Sequence, residues 1–165
     1  EGEGEGEGEG EAGLGEEHER RIAAGTKLLK ERLSSLGLTR VATEDDGNCQ
    51  FRALSQQLYG SEEFHGSVRR EAVAHMRREA DFFGAMFEAA DFEAYLADMR
   101  RTKTWGDELT LRAVADALGC VVHVVTSNEA NWYLQYVPAE EKLRAEKHVF
   151  LTYVAPVHYD ALTLL

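Results

Sequence analysis

The chain has 165 residues, 44% of them hydrophobic, with two Cys and with 18 Lys and Arg against 30 Asp and Glu, the profile of one globular domain. No run approaches the ~18 apolar residues of a membrane span; two Cys without C-x-x-C spacing form neither a disulfide framework nor a zinc clip, which points to a reducing compartment, cytosol or nucleus. The net charge of −12 is uneven: residues 1–17 hold eight Glu and no base, and without them 22 acids face 18 bases, a balance of −4 that argues against general affinity for nucleic acid.

Residues 1–17 form a Glu/Gly-rich tail with nothing apolar to bury, and are expected to be disordered, leaving residues 18–165 as the domain. From Glu16 to Leu36 the spacing of Ile22, Leu29, Leu33 and Leu36 predicts an amphipathic helix that ends near Gly37. Leu38 to Thr43 reads as a short strand, and Glu44 to Asn48 as a turn. Phe51, Leu54 and Leu58 then mark a helix that begins close to Cys49 and closes at Gly60.

Helical patterns follow over residues 66–80, about 89–100, and Asp107 to Leu118. Cys120 to Val125, Trp132 to Val137 and His148 to Val154 read as strands, the first and last apolar enough to be covered on both faces. Helices grouped early and strands grouped late give an α+β domain, a small central β-sheet packed between helices.

Asp46-Gly47-Asn48-Cys49 places a thiol where a turn enters a helix, at the positive end of the helix dipole and among free backbone N–H groups. Both favour a thiolate. Gly47 lets the backbone turn its N–H groups toward a reacting carbonyl. A nucleophilic Cys needs an imidazole partner. Of six His, His18, His65 and His75 read as solvated or structural, and His123 and His148 as packed in strands. His158 differs, because Asp160 lies two residues on, where extended chain puts both side chains on one face. Such a carboxylate can hold the ring in one tautomer.

Three ordered motifs now stand out: Asp46-Gly47-Asn48-Cys49 with Phe51-Arg52, Trp105-Gly106-Asp107, and His158-Tyr159-Asp160-Ala161. Together, over residues 38–163, they resemble the ovarian tumour (OTU) family of cysteine deubiquitinases, especially its short plant and algal members. The resemblance implies a papain-like fold and hydrolysis of the bond after the C-terminal glycine of ubiquitin. It implies Cys49 as nucleophile, His158 as general base and then acid, Asp160 as the orienting acid, and Asp46 as a member of the nucleophile loop. The backbone amides of Gly47, Asn48 and Cys49 are then expected to face the oxyanion. Trp105, Gly106 and Asp107 are expected to wall a narrow channel for a diglycine tail, against the plainer reading of a core-covering turn with a helix-capping Asp.

No metal or organic cofactor is expected. The expected partner is ubiquitin or polyubiquitin, with no nucleic acid and no membrane, and the expected state is a monomer. The alternatives are a ubiquitin-binding module without turnover, or a protease for a ubiquitin-like modifier. Arg69-Arg70, Arg77-Arg78 and Arg100-Arg101 could form a phosphate-binding stripe. Without interleaved aromatics, and with Glu71 and Glu79 among them, they read more simply as a solvated helix face.

Overall fold

The computed structural model describes residues 8–139 and 147–164. Helix α1 spans Gly8–Leu36, followed by β1 (Leu38–Val41), α2 (Cys49–Tyr59) and a single 3₁₀ turn (Glu62–Phe64). Next come α3 (His65–Arg78), α4 (Ala80–Phe83), α5 (Ala89–Met99) and α6 (Glu108–Leu118). Four strands close the chain: β2 (Val121–Thr126), β3 (Tyr133–Tyr136), β4 (His148–Val154) and β5 (His158–Leu164). The order across the sheet is β1-β5-β4-β2-β3, with β2 and β4 parallel and the other neighbours antiparallel.

The sheet divides the core in two. On one face Phe51, Leu54, Val68, Met76, Leu96 and Val114 of the helices pack on Val122, Val124, Val149 and Leu151. Full burial of a ring such as Phe51 is worth roughly 1.5–3 kcal/mol. On the other face α1 lays Leu29 and Leu33 on Val125, Val154 and Leu162. Strand β2 is therefore buried at every position, as its unbroken apolar run predicts. In β4 the cover is partial, and Phe150 remains 39% exposed.

Two local differences from the sequence reading have simple causes. Helix α1 begins at Gly8, so residues 8–17, expected to be disordered, are helical here; no proline interrupts them, and Glu17 pairs with Arg21 one turn on. Residues 1–7 of that tail lie outside the described residues. Residues 158–164 form a full strand of their own, because the turn after Val154 sends the chain back antiparallel to β4, with Val154 opposite His158 and Thr152 opposite Asp160.

One side chain completes this hairpin. The β4–β5 register runs from Val154↔His158 to Leu151↔Ala161. Beyond it, Gln57 of α2 accepts the Phe150 N–H at 2.8 Å and donates to the Leu162 carbonyl at 2.7 Å. The amide stands where the next rung would be, and so pins α2 to the strand that carries His158.

Candidate active site

The nucleophile loop is shaped by Asp46. Its carboxylate accepts the Asn48 N–H at 2.9 Å and the Asn48 side-chain amide at 3.2 Å, and holds the Arg52 guanidinium at 3.0–3.2 Å. Burial alone would raise this carboxyl, but Arg52 and the Asn48 donors outweigh it and hold it down at about 2. Asn48 is buried, and its Oδ1 takes the Lys103 N–H at 2.7 Å and the Arg69 guanidinium at 2.8 Å. The loop is thereby tied to α3 and to the segment before Trp105. The approach is so close that a Cβ on Gly47 would lie 1.9 Å from the Lys103 carbonyl oxygen.

Cys49 opens α2 and is 8% exposed. It lines one cavity with Val157 and Tyr159, which places the thiol against the start of β5, and the backbone N–H groups of Tyr159 and Gln50 act to lower it. Across that strand, His158 Nε2 donates to Asp160 Oδ1 at 2.8 Å. Asp160 is 5% exposed and also accepts the Thr43 N–H at 2.8 Å, with Arg40 at 3.5 Å. The carboxylate is thus fixed from three sides. With Nε2 so engaged, Nδ1 is the nitrogen free to take a proton; it lies 3.2 Å from the exposed carboxylate of Asp45.

Three expectations look different in the structure. Against the thiolate expected at the helix start, burial pushes the Cys49 thiol up, and Asp45 and Asp46 push the same way, while the Tyr159 and Gln50 N–H groups act to lower it. The Asn48 and Cys49 N–H groups do not stand free for an oxyanion, since Asp46 accepts both, the first on its carboxylate and the second on its carbonyl at 3.1 Å. Of the three expected donors, Gly47 N–H alone has no partner among the described residues. Asp107 follows the plainer reading: it caps α6 in a reciprocal pair with Thr110, accepts the Tyr95 hydroxyl at 2.8 Å and does not line the cavity beside Cys49.

Trp105 and Gly106, in contrast, line a cavity with Cys49, Gln50, Val157 and Tyr159. At about 20 Å³ it holds one water and no more. Gln50, which the sequence reading passed over, organises this wall. It is buried, donates to the Asp107 carbonyl at 3.1 Å and accepts the Thr110 hydroxyl at 2.6 Å. Its position directly after Cys49 was the available signal. A wider cavity of about 620 Å³ lies on the α1 side of the imidazole, bounded by Leu29, Leu33, Lys30, Arg40, His158 and Asp160.

The remaining candidates lie elsewhere. His75 is buried against Asp116, and His123 bridges Tyr133 and His148, with 2.7 Å between the two imidazoles. Cys120 is fully buried and its thiol is pushed up to about 11, the behaviour of an inert core residue. Trp132 packs on α1 under Arg32, 5.0 Å above the ring. Among the described residues no three His, Cys, Asp or Glu side chains converge as metal ligands, and no helix is long and apolar enough to cross a membrane.

A cysteine at a helix start, against a strand that presents a carboxylate-held imidazole, defines the class of the papain-like cysteine hydrolases. A match to the family of OTU-like cysteine proteases covers residues 44–161, and the chain belongs to that family. It is 38% identical over 136 residues to an Arabidopsis thaliana protein named OVARIAN TUMOR DOMAIN-containing deubiquitinating enzyme 10, a match covering 82% of this chain and 37% of that one. The chain therefore spans little more than a third of that relative. The fold is that of the OTU domain of OTUD1, at a TM-score of 0.73 with 23% identity, over 87% of this chain and 97% of the other. An OTU domain solved in complex with ubiquitin matches at 0.61 with 18% identity, over 76% and 69%.

Proposed function

We propose that this chain is a thiol-dependent deubiquitinase that hydrolyses the isopeptide or peptide bond after the C-terminal glycine of ubiquitin. The observation that carries the reading is the meeting of Cys49 with the strand of His158 and Asp160, in a family whose relatives include named deubiquitinating enzymes.

Nδ1 of His158 takes the thiol proton as sulfur attacks the glycine carbonyl carbon. The carbonyl oxygen becomes an oxyanion beside Gly47 N–H, and the carboxylate of Asp160 stabilises the imidazolium through Nε2. The imidazolium then protonates the leaving amine, the C–N bond breaks, and a thioester to Cys49 remains. Water, losing its proton to His158, cleaves the thioester and restores the thiol.

Trp105 and Gly106 wall the entry for the ubiquitin tail, which must widen the 20 Å³ cavity to pass. Two consecutive glycines present no Cβ to that wall, so larger residues are refused by sterics. The wider cavity beside α1 receives the acceptor side of the bond. Incubation with a ubiquitin probe bearing a C-terminal electrophile tests this. Labelling at Cys49, lost in Cys49→Ala and His158→Ala, supports the reading; labelling that persists in either variant overturns it.

A further inference from the structure

Helix α3 and the end of α5 enclose a groove of about 360 Å³ that the proposed chemistry does not use. Its walls include Arg69, Arg70, Arg77, Arg100, His65 and Thr102, and its lining contains no Asp or Glu. This is unusual ground in a chain of 30 acids and 18 bases. The reading of these arginines as a solvated face holds for Arg70, Arg77, Arg78, Arg100 and Arg101, which are exposed, and fails for buried Arg69; Arg101 pairs with Asp98 outside the groove.

The partners of the four differ. Arg69 is consumed internally, by the Met99 carbonyl at 3.0 Å, by Asn48 and by the face of Phe51. Arg70 touches only the neutral Ser67 hydroxyl, at 3.1 Å, and neither it nor Arg100 makes an ion pair among the described residues. Arg77 has a loose contact at 3.7 Å with Glu93 on exposed side chains, a kind of pair that contributes little. His65 adds a buried Nδ1 with no hydrogen-bond partner. Helix dipoles account for Arg77 and Arg100, each at a helix C-terminus, but not for their sharing an acid-free groove with Arg70.

We propose that this groove binds a phosphate monoester carried on a peptide segment, with Arg70, Arg77 and Arg100 on its oxygens. Guanidinium forks match phosphate oxygens in pairs. The groove exceeds what one phosphate fills, which leaves room for the flanking peptide. It is also coupled to the nucleophile loop: the Thr102 hydroxyl reaches Asn48 Oδ1 at 3.3 Å, and Arg69 joins the same atom. The site is independent of the thiol chemistry proposed above, so its test uses binding alone.

Fluorescence anisotropy with a short labelled Ala-Gly peptide carrying one central phosphoserine measures it. The expected result is saturable binding that weakens as salt rises, with a loss of about tenfold or more in Arg70→Ala and in Arg100→Ala and no change in Arg101→Ala. Arg70 and Arg100 are exposed, and a melting curve on each variant verifies its fold. Equal binding of the same peptide with glutamate at the centre, equal binding of inorganic phosphate by competition, or unchanged affinity in both groove variants would each overturn the proposal.

Discussion

Asp45 Oδ1 stands 3.2 Å from Nδ1 of His158, across the ring from the nitrogen that donates to Asp160. Two carboxylates therefore flank one imidazole, but they are not equivalent: Asp160 is buried and triply held, whereas the Asp45 side chain is 85% exposed. The exposed one also raises the Cys49 thiol. Asp45→Asn removes that charge. An exposed charge effect of about 0.2–1 kcal/mol corresponds to a rise of roughly 1.5- to 5-fold in Cys49 alkylation at pH 7, with the rate curve moved to lower pH. Iodoacetamide kinetics read by mass spectrometry decide it; a coincident curve removes Asp45 from the account.

The unaltered protein has its own pH signature. A thiol raised by burial keeps its proton through neutrality, so Cys49 is expected to alkylate more slowly than free cysteine at pH 6 and 7, and to accelerate through the alkaline range. A rate above that of free cysteine at pH 6 would show a preformed thiolate instead.

Asp46 ties acid stability to the loop. Its carboxyl is held at about 2 in the fold, below its ordinary value of 3.8, so its contribution is present above pH 4 and drains away as pH falls from about 4 to 2. Asp46→Asn loses the charge-assisted bonds to Arg52 at all higher pH, a cost of about 1–3 kcal/mol. Urea denaturation at pH 7 and pH 2.5 checks both: the gap between variant and parent is expected to narrow at the lower pH.

Gly47 faces a sterically closed position. The Cβ of Gly47→Ala would meet the Lys103 carbonyl oxygen at 1.9 Å, and backbone cannot swing aside as a side chain can. The loop must shift, taking the Gly47 N–H from the proposed oxyanion position with it. Hydrolysis of a fluorogenic ubiquitin C-terminal amide is expected to fall at least about 100-fold; wild-type turnover in this variant would clear the loop of that role.

Gln57 offers a test away from the chemistry. Gln57→Leu keeps the volume but leaves Phe150 N–H and the Leu162 carbonyl without their shared amide. A loss of about 1–3 kcal/mol is expected from urea melts, since both groups belong to the strands that frame His158. A variant as stable as the parent would mean that water replaces the amide at no cost.

Much of this molecule is legible along the chain because its signals are local. The Leu29 and Leu33 stripe, the caps at Gly60 and Asp107, and the apolar runs of β2 and β4 each lie within one element, where side-chain period and turn chemistry act over a few residues. The pairing of His158 with Asp160 is equally local, being a two-residue repeat on one strand face. Strand β5 was less visible, since it depends on a partner strand for its hydrogen bonds.

By itself the sequence marked the candidates for the chemistry: a Cys at a helix start, a His and an Asp at alternate positions, and a glycine in the loop between turn and helix. Only the tertiary structure decided their state. Burial of Cys49 against β5, the presence of Asp45 at the imidazole and the hold of Thr43 on Asp160 set a raised thiol in a nearly closed cavity. Charge, solvent exposure and hydrogen-bond competition depend on distances between segments that lie more than a hundred residues apart in the chain, and those distances exist only once the sheet has brought β5 beside α2.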